Sequence, residues 1–380
     1  MNGNKSLYNS WMIILGLLLI PGIYAAIKVL NEGHGLFNAN DVIIWSLPLG
    51  LYIFLALTSS GLALLASLPL VFGVSKYEPY AKRLVFLSLA TLIGAFVSIG
   101  LELGNVFHMI YLLFSPNLSS PIWWMGTIYS VELLLLLIKF KKMHSGDDDG
   151  SLSRVLGIGS FLCALIAPLM IGSVFGLTES RVSFFGPFMS VYCLLLGMLS
   201  GTALFIFYNQ ILTRVGYTEA SAEKSEIIDD IATIMSWMLG VVVVITLLKT
   251  ALDSTTTIPD FMNYQKFAHA FGAIGIFHIE IILGLFLPFI IMIMPSTRNS
   301  DTGRLTAAAL TLLGTLAMHM EILLAGQSKP VGPKAEQFPA LLSYCPSIWE
   351  WLIALLAITI ILILYTFGEK FFGLETGQTD

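Results

Sequence analysis

ELGNVFHMIYLLFSPNLSSPIWWMGTIYSVE, residues 102–132, sets two strongly apolar segments on either side of a polar turn. Glu102, Asn105 and His108 gather at one end, and Glu132 lies eleven residues into the second segment counted from Pro121. At a rise of 1.5 Å per residue that depth is about 16 Å, near the middle of a ~30 Å hydrocarbon layer. An ionised side chain there costs roughly 2.5 to 3.5 kcal/mol even on the lower insertion scales, so such residues face a protein interior or a wet cavity.

The whole chain repeats this pattern. Of its 380 residues 56% are hydrophobic and 11% charged, against the about 25% charged of a soluble domain, and the mean hydropathy is +0.85. These values exclude a soluble enzyme or a nucleic-acid-binding protein. Apolar runs of spanning length fall at 11–30, 45–73, 84–106, 121–140, 154–175, 185–210, 230–252, 265–294, 305–325 and 347–367. Long runs without alternation predict helices, which satisfy their own backbone groups in lipid, and not a barrel. The expected fold is an all-α, polytopic transmembrane bundle of about ten spans, built as two four-helix bundles with peripheral helices. Residues 1–43 supply a peripheral first helix and its connection, 44–215 a first bundle, and 216–380 a second bundle with the C-terminal helix. No small-residue cleavage site follows the first run, which reads as a retained helix.

With ten spans, thirteen of the nineteen Lys and Arg residues fall on the side of the termini; Lys28, Arg181, Lys249, Lys266, Lys329 and Lys334 fall opposite. The bias predicts both termini inside and the turn between Glu102 and Glu132 outside. Cys163, Cys193 and Cys345 show no metal-ligand spacing. Ser59-Ser60-Gly61 in the second run are small residues that suit either a helix-packing notch or the close approach of a flat ligand. Ser119-Ser120-Pro121 predicts a serine-capped start for the fourth span. Trp123 and Trp124 fit an interfacial belt or a ligand wall, and Tyr129 shares a face with Glu132. Later in the chain His278 and Glu280 lie deep in the eighth run, and His319 and Glu321 lie within about two turns of the outer end of the ninth.

The order of these features resembles the membrane subunit of polysulfide reductase and its relatives, the NrfD/PsrC family. Matching pieces are the small-residue second span, Glu102-Leu103-Gly104, Ser120-Pro121 before an aromatic span with Glu132, Glu280 followed by Pro288, Gly326-Gln327, and Pro346-Ser347-x-x-Glu350. The family's usual Asp-x-Gly-Arg stands here as Glu102-Leu103-Gly104-Asn105, and His319 stands where the ninth span is expected to carry arginine. The resemblance implies a multi-pass subunit of a prokaryotic inner (cytoplasmic) membrane, reactive with menaquinol or ubiquinol and holding neither haem nor iron-sulfur cluster of its own. It further implies a ferredoxin-like iron-sulfur partner on the outer face, a molybdopterin, hydrogenase or multihaem catalytic subunit beyond it, and a quinone pocket among spans two to five.

Quinol oxidation releases two electrons and two protons, so such a pocket needs proton acceptors and an apolar wall. Buried carboxyls and imidazoles can exchange protons near neutrality. Glu102 and His108 are therefore the expected proton-handling pair. Asn105 and Tyr129 are expected to position the quinone head group, with room left by Ser59, Ser60 and Gly61. Glu132, Glu280, His278, His319 and Glu321 are the expected proton path. For each of these the plainer alternative is a buried polar group satisfied by its neighbours. Two other functions stay open: an ion-coupled secondary transporter, suggested by midplane acids, and a haem b cytochrome, suggested by six histidines.

Overall fold

In the computed structural model, residues 5–148, 150–181, 185–217, 222–255, 280–328, 330–338, 342 and 344–374 are described. Among them nine helices are long and apolar enough to cross a membrane, and a shorter apolar helix covers Ile282–Ile293. In chain order they are α1 (Lys5–Glu32), α2 (Leu47–Leu70), α3 (Glu78–Glu102), α4 (Pro121–Ser145), α5 (Ser151–Gly176), α6 (Phe188–Arg214), α7 (Ala222–Thr255), α8 (Ile282–Ile293), α9 (Asp301–Ala325) and α10 (Ile348–Phe372). The chain is an integral, multi-pass membrane protein.

Two closed rings of four helices make up the body. Helices α2, α3, α4 and α5 each pack on the next and α5 returns to α2; α6, α7, α8 and α9 form a second ring in the same way. The rings share a wall where α6 meets α2 and α5 and α9 meets α2, so no gap falls at residue 215, where the sequence reading divided the bundles. Helix α10 packs on α1, α3 and α2. The peripheral position of α1 shows in its burial: 22% of its spanning window is buried, against 83% for α2.

Lipid tails are as apolar as leucine, so these helices hold together through close packing and interhelical hydrogen bonds, not through burial of oily surface. The small-residue stretch in α2 supplies both. A Cβ at Gly201 would stand 2.5 Å from the Gly61 carbonyl carbon and 2.5 Å from the Leu62 nitrogen, which puts the α2 and α6 backbones in direct contact. On the opposite face the Ser59 hydroxyl donates to the Ser88 carbonyl at 2.8 Å while the Ser88 hydroxyl donates back to the Ser59 carbonyl at 2.9 Å, clasping α2 to α3. Ser59, Ser60 and Gly61 are fully buried in this packing. The space expected beside them for a flat ring is filled by α3 and α6.

Local signals set the helix ends. Prolines stand in the first turn of α2, α3 and α4, where the missing N–H costs nothing. Ser120 occupies the cap position before α4, yet its side chain makes no capping bond, a departure from the expected serine cap; Pro121 alone sets that start. Ser347 and Glu350 form a reciprocal capping box that opens α10. The α8 segment begins as a π-helix, Ile282–Phe286, directly before Pro288. Widening the turn there relieves the clash between the proline ring and the Gly284 carbonyl four residues earlier.

Candidate functional site

Glu102 is the last residue of α3. Leu103 is extended, with φ −75° and ψ 135°, and Asn105 follows with φ −140° and ψ 100°. The shared helix face expected for Glu102 and Asn105 is therefore not formed: the helix stops four residues before the predicted 84–106 run ends, because Gly104 and the polar Asn105 offer no apolar contact to continue it. Asn105 and His108 are exposed, on a connection that runs through a 3-10 turn, Val106–Ile110, and a single helical turn, Tyr111–Phe114. Trp123 and Trp124 hang this connection from α4, their indole N–H groups donating to the Leu112 carbonyl at 2.8 Å and the Leu118 carbonyl at 2.9 Å. Phe107, Ile110, Tyr111 and Phe114 on it are exposed.

The Glu102 carboxyl itself turns inward, to the start of α2. It is 8% exposed and accepts the Ser46 backbone N–H at 2.9 Å and the Ser46 hydroxyl at 2.6 Å. Ser46 is the N-cap of α2, so the carboxyl sits at the positive end of that helix's dipole. The residues leading into α2 are held by side chains from three distant parts of the chain. Asn40 folds back on the Val42 and Ile43 N–H groups, both at 2.9 Å. Gln327, just past α9, accepts from Ile44 at 3.0 Å and Trp45 at 2.9 Å and donates to the Trp45 carbonyl at 3.2 Å. The Tyr344 hydroxyl accepts from the Leu47 N–H at 2.8 Å and donates to Glu350. Arg181 bonds the Gly326 carbonyl beside Gln327. Burial and the neighbouring Glu350 push the Tyr344 phenol above the ordinary tyrosine range.

Deeper in the first ring, Tyr129 is fully buried and its hydroxyl meets that of Ser60 at 3.4 Å, with the Tyr52 ring edge-on at 6.4 Å. Glu132 is fully buried one turn further on, and neither carboxyl oxygen has a hydrogen-bond partner among the described residues. The structure thus unites Ser60 with Tyr129, while Ser59 and Gly61 serve the α3 and α6 contacts.

The second ring holds its own group. Glu280, 3% exposed, has no hydrogen-bond partner for either oxygen among the described residues, and its carboxyl neighbours that of Glu321 on α9. Tyr192 on α6 and Thr246 on α7 bond at 2.9 Å beside this pair. His319, two residues from Glu321, points to the other side of α9: its Nδ1 bonds the Thr315 carbonyl at 2.6 Å and its ring lies edge-on to Phe54 of α2 at 6.0 Å. His278 lies outside the described residues.

Sequence reasoning missed Ser46 and Tyr344 and gave Gln327 and Glu350 no chemical task. The cap-and-proline pattern of Ser46-Leu47-Pro48 was a findable signal for the first. Tyr344 follows a long proline-rich connection with no periodicity to place it. Chemically, the Glu102 end offers a buried carboxyl at a helix N-terminus, next to an exposed apolar connection and within a hydrogen-bonded frame.

A family model described as "Polysulphide reductase, NrfD" matches residues 35–331, a range that runs from the lead-in to α2 through α9 to just past Gln327. The chain is 23% identical over 394 residues, covering 98% of it and 95% of the relative, to the "Hdr-like menaquinol oxidoreductase integral membrane subunit" of Archaeoglobus fulgidus. It is 24% identical over 355 residues, covering 85% of it and 78% of the relative, to a "Putative dimethyl sulfoxide reductase membrane subunit" of Halobacterium salinarum.

Proposed function

Because the chain belongs to the polysulphide reductase NrfD family, we propose that it is the quinone-reactive membrane subunit of a respiratory oxidoreductase complex, with menaquinol as its electron donor. The observation that carries this reading is the match along nearly the full length of both chains to a menaquinol oxidoreductase membrane subunit. It sits in the cytoplasmic membrane with both termini inside, and the Glu102 end faces outward. There it meets a ferredoxin-like iron-sulfur subunit, which passes electrons to a molybdopterin, hydrogenase or multihaem catalytic subunit.

Quinol oxidation divides electrons from protons, and this chain's part is to bind the head group and take the protons. Glu102, at the N-terminus of α2, accepts one proton from a quinol hydroxyl, and the helix dipole favours the carboxylate that precedes each turnover. His108 takes the second, with Asn105 beside it on the same exposed connection. The apolar side chains of that connection give the isoprenoid tail a path from the bilayer. Tyr129 with Ser60 forms the deeper wall. Glu132, Glu280, Glu321 and His319 are stations for protons further into the membrane, His278 being the one proposed station outside the described residues.

The reading is tested by tagging the chain at its C-terminus and purifying it from native membranes in mild detergent. The expected result is a complex that carries an iron-sulfur subunit and bleaches a dye acceptor when given a short-chain menaquinol. A chain that purifies alone, or a complex inert to menaquinol and ubiquinol alike, would refute it.

A further inference from the structure

Ser46 stands at the N-cap of α2, yet its hydroxyl does not cap that helix. It turns instead to the Glu102 carboxyl at 2.6 Å. The same hydroxyl lies within hydrogen-bonding reach of the Tyr344 hydroxyl, which in turn donates to Glu350. Four polar side chains from α2, α3, α10 and the connection before α10 thus run in unbroken contact from one buried carboxyl to another. Ser46 and Glu350 are fully buried and Tyr344 is 2% exposed. At the far end the second Glu350 oxygen accepts the Asn38 N–H at 3.3 Å and the Ser347 N–H. Above it Asn38 and Cys345, joined by a 2.9 Å bond from the Asn38 amide to the Cys345 carbonyl, are both exposed.

The capping box accounts for the bond between Glu350 and Ser347. It does not account for the aim of the Tyr344 hydroxyl at Glu350, nor for the Ser46 hydroxyl leaving its helix. We propose that Ser46, Tyr344 and Glu350 form a proton relay that drains Glu102 to the surface beneath the Asn38–Cys345 cover. Tyr344 and Glu350 lie beyond the residues the family model matches, and the proposal rests on the quinol-oxidising reading given above. The step moves no electrons. The Glu102 carboxyl gives its proton to the Ser46 oxygen as the Ser46 proton passes to the Tyr344 oxygen and the Tyr344 proton to the Glu350 carboxylate. Glu102 is left ionised for the next quinol, Glu350 releases its proton to water at the Asn38 edge, and the two hydroxyls rotate back. A chain of hydroxyls can do this because each is at once a donor and an acceptor.

The test is menaquinol oxidation by the intact complex in liposomes, run in light and heavy water. Ser46→Ala and Tyr344→Phe should each lower kcat about tenfold or more, leave the menaquinol KM within about twofold and enlarge the solvent isotope effect, while Ser46→Thr restores kcat. Should Tyr344→Phe fail to assemble, Ser46→Ala still decides, since the Ser46 hydroxyl caps no helix. Wild-type kcat and isotope effect in Ser46→Ala would overturn the relay, as would equal slowing by Ser46→Ala and Ser46→Thr, which marks a packing role. A wild-type complex inert to menaquinol defeats the parent reading and takes the relay with it.

Discussion

A Glu102→Gln variant is expected to assemble normally and to oxidise menaquinol about a hundredfold more slowly than the wild type, or slower still. Glutamine keeps the length of the side chain and an oxygen for the Ser46 N–H, and its amide can meet the Ser46 hydroxyl, so the frame at the start of α2 survives. What it loses is the capacity to accept a proton, and a positioned acid or base supplies roughly 10²- to 10⁴-fold in rate. The comparison with Glu102→Ala separates the two roles of this carboxyl. Alanine also orphans the buried Ser46 N–H, which costs about 1–3 kcal/mol, so that variant should lose thermal stability as well as turnover. Turnover in Glu102→Gln equal to wild type, at equal assembly, would remove Glu102 from the chemistry.

The second large effect is structural and lies at the opposite end of the bundle. Arg83 on α3 is fully buried; its guanidinium donates to both Glu369 oxygens on α10, at 2.8 and 3.1 Å, and to Asn209 on α6 at 3.0 Å. One side chain thus ties the peripheral α10 to both rings. Neighbouring Lys82 donates to the Phe372 and Gly373 carbonyls at the end of α10, at 2.7 and 3.1 Å. Arg83→Met should destabilise the protein by about 3–5 kcal/mol, because the Glu369 carboxylate stays buried after its guanidinium is gone. Replacing both partners by methionine should restore much of that loss, since the desolvation of two charges disappears with them. Thermal midpoints of the detergent-purified single and double variants measure this, and a double variant less stable than Arg83→Met would contradict it.

Much of this architecture was legible because lipid imposes few choices. Uninterrupted apolar runs can only be helices, and prolines at 48, 79 and 121 mark where three of them begin. Ten runs gave the helix count and the family resemblance gave the first ring, α2–α5. The site was legible only in part. Glu102 was identifiable as an acid in an apolar setting, but the next residues looked helical by composition and are not: Gly104 and Asn105 turn the chain out of the helix. Ser59-Ser60-Gly61 carried an ambiguity that spacing cannot resolve, because the absence of a side chain serves a neighbouring helix as well as a ring. Ser46, Gln327, Tyr344 and Glu350 meet through bonds between residues nearly three hundred positions apart. No local pattern encodes such a meeting, and it exists only once the helices are assembled.

The most direct measurement of whether quinone binds at the Glu102 end is photolabelling of the purified complex with an azido-menaquinone analogue, followed by mass mapping of the adducts. Adducts within residues 38–47 and 102–132, suppressed by excess menaquinone, are the predicted result. Adducts confined to α7, α8 and α9, or labelling that excess menaquinone leaves unchanged, would contradict it.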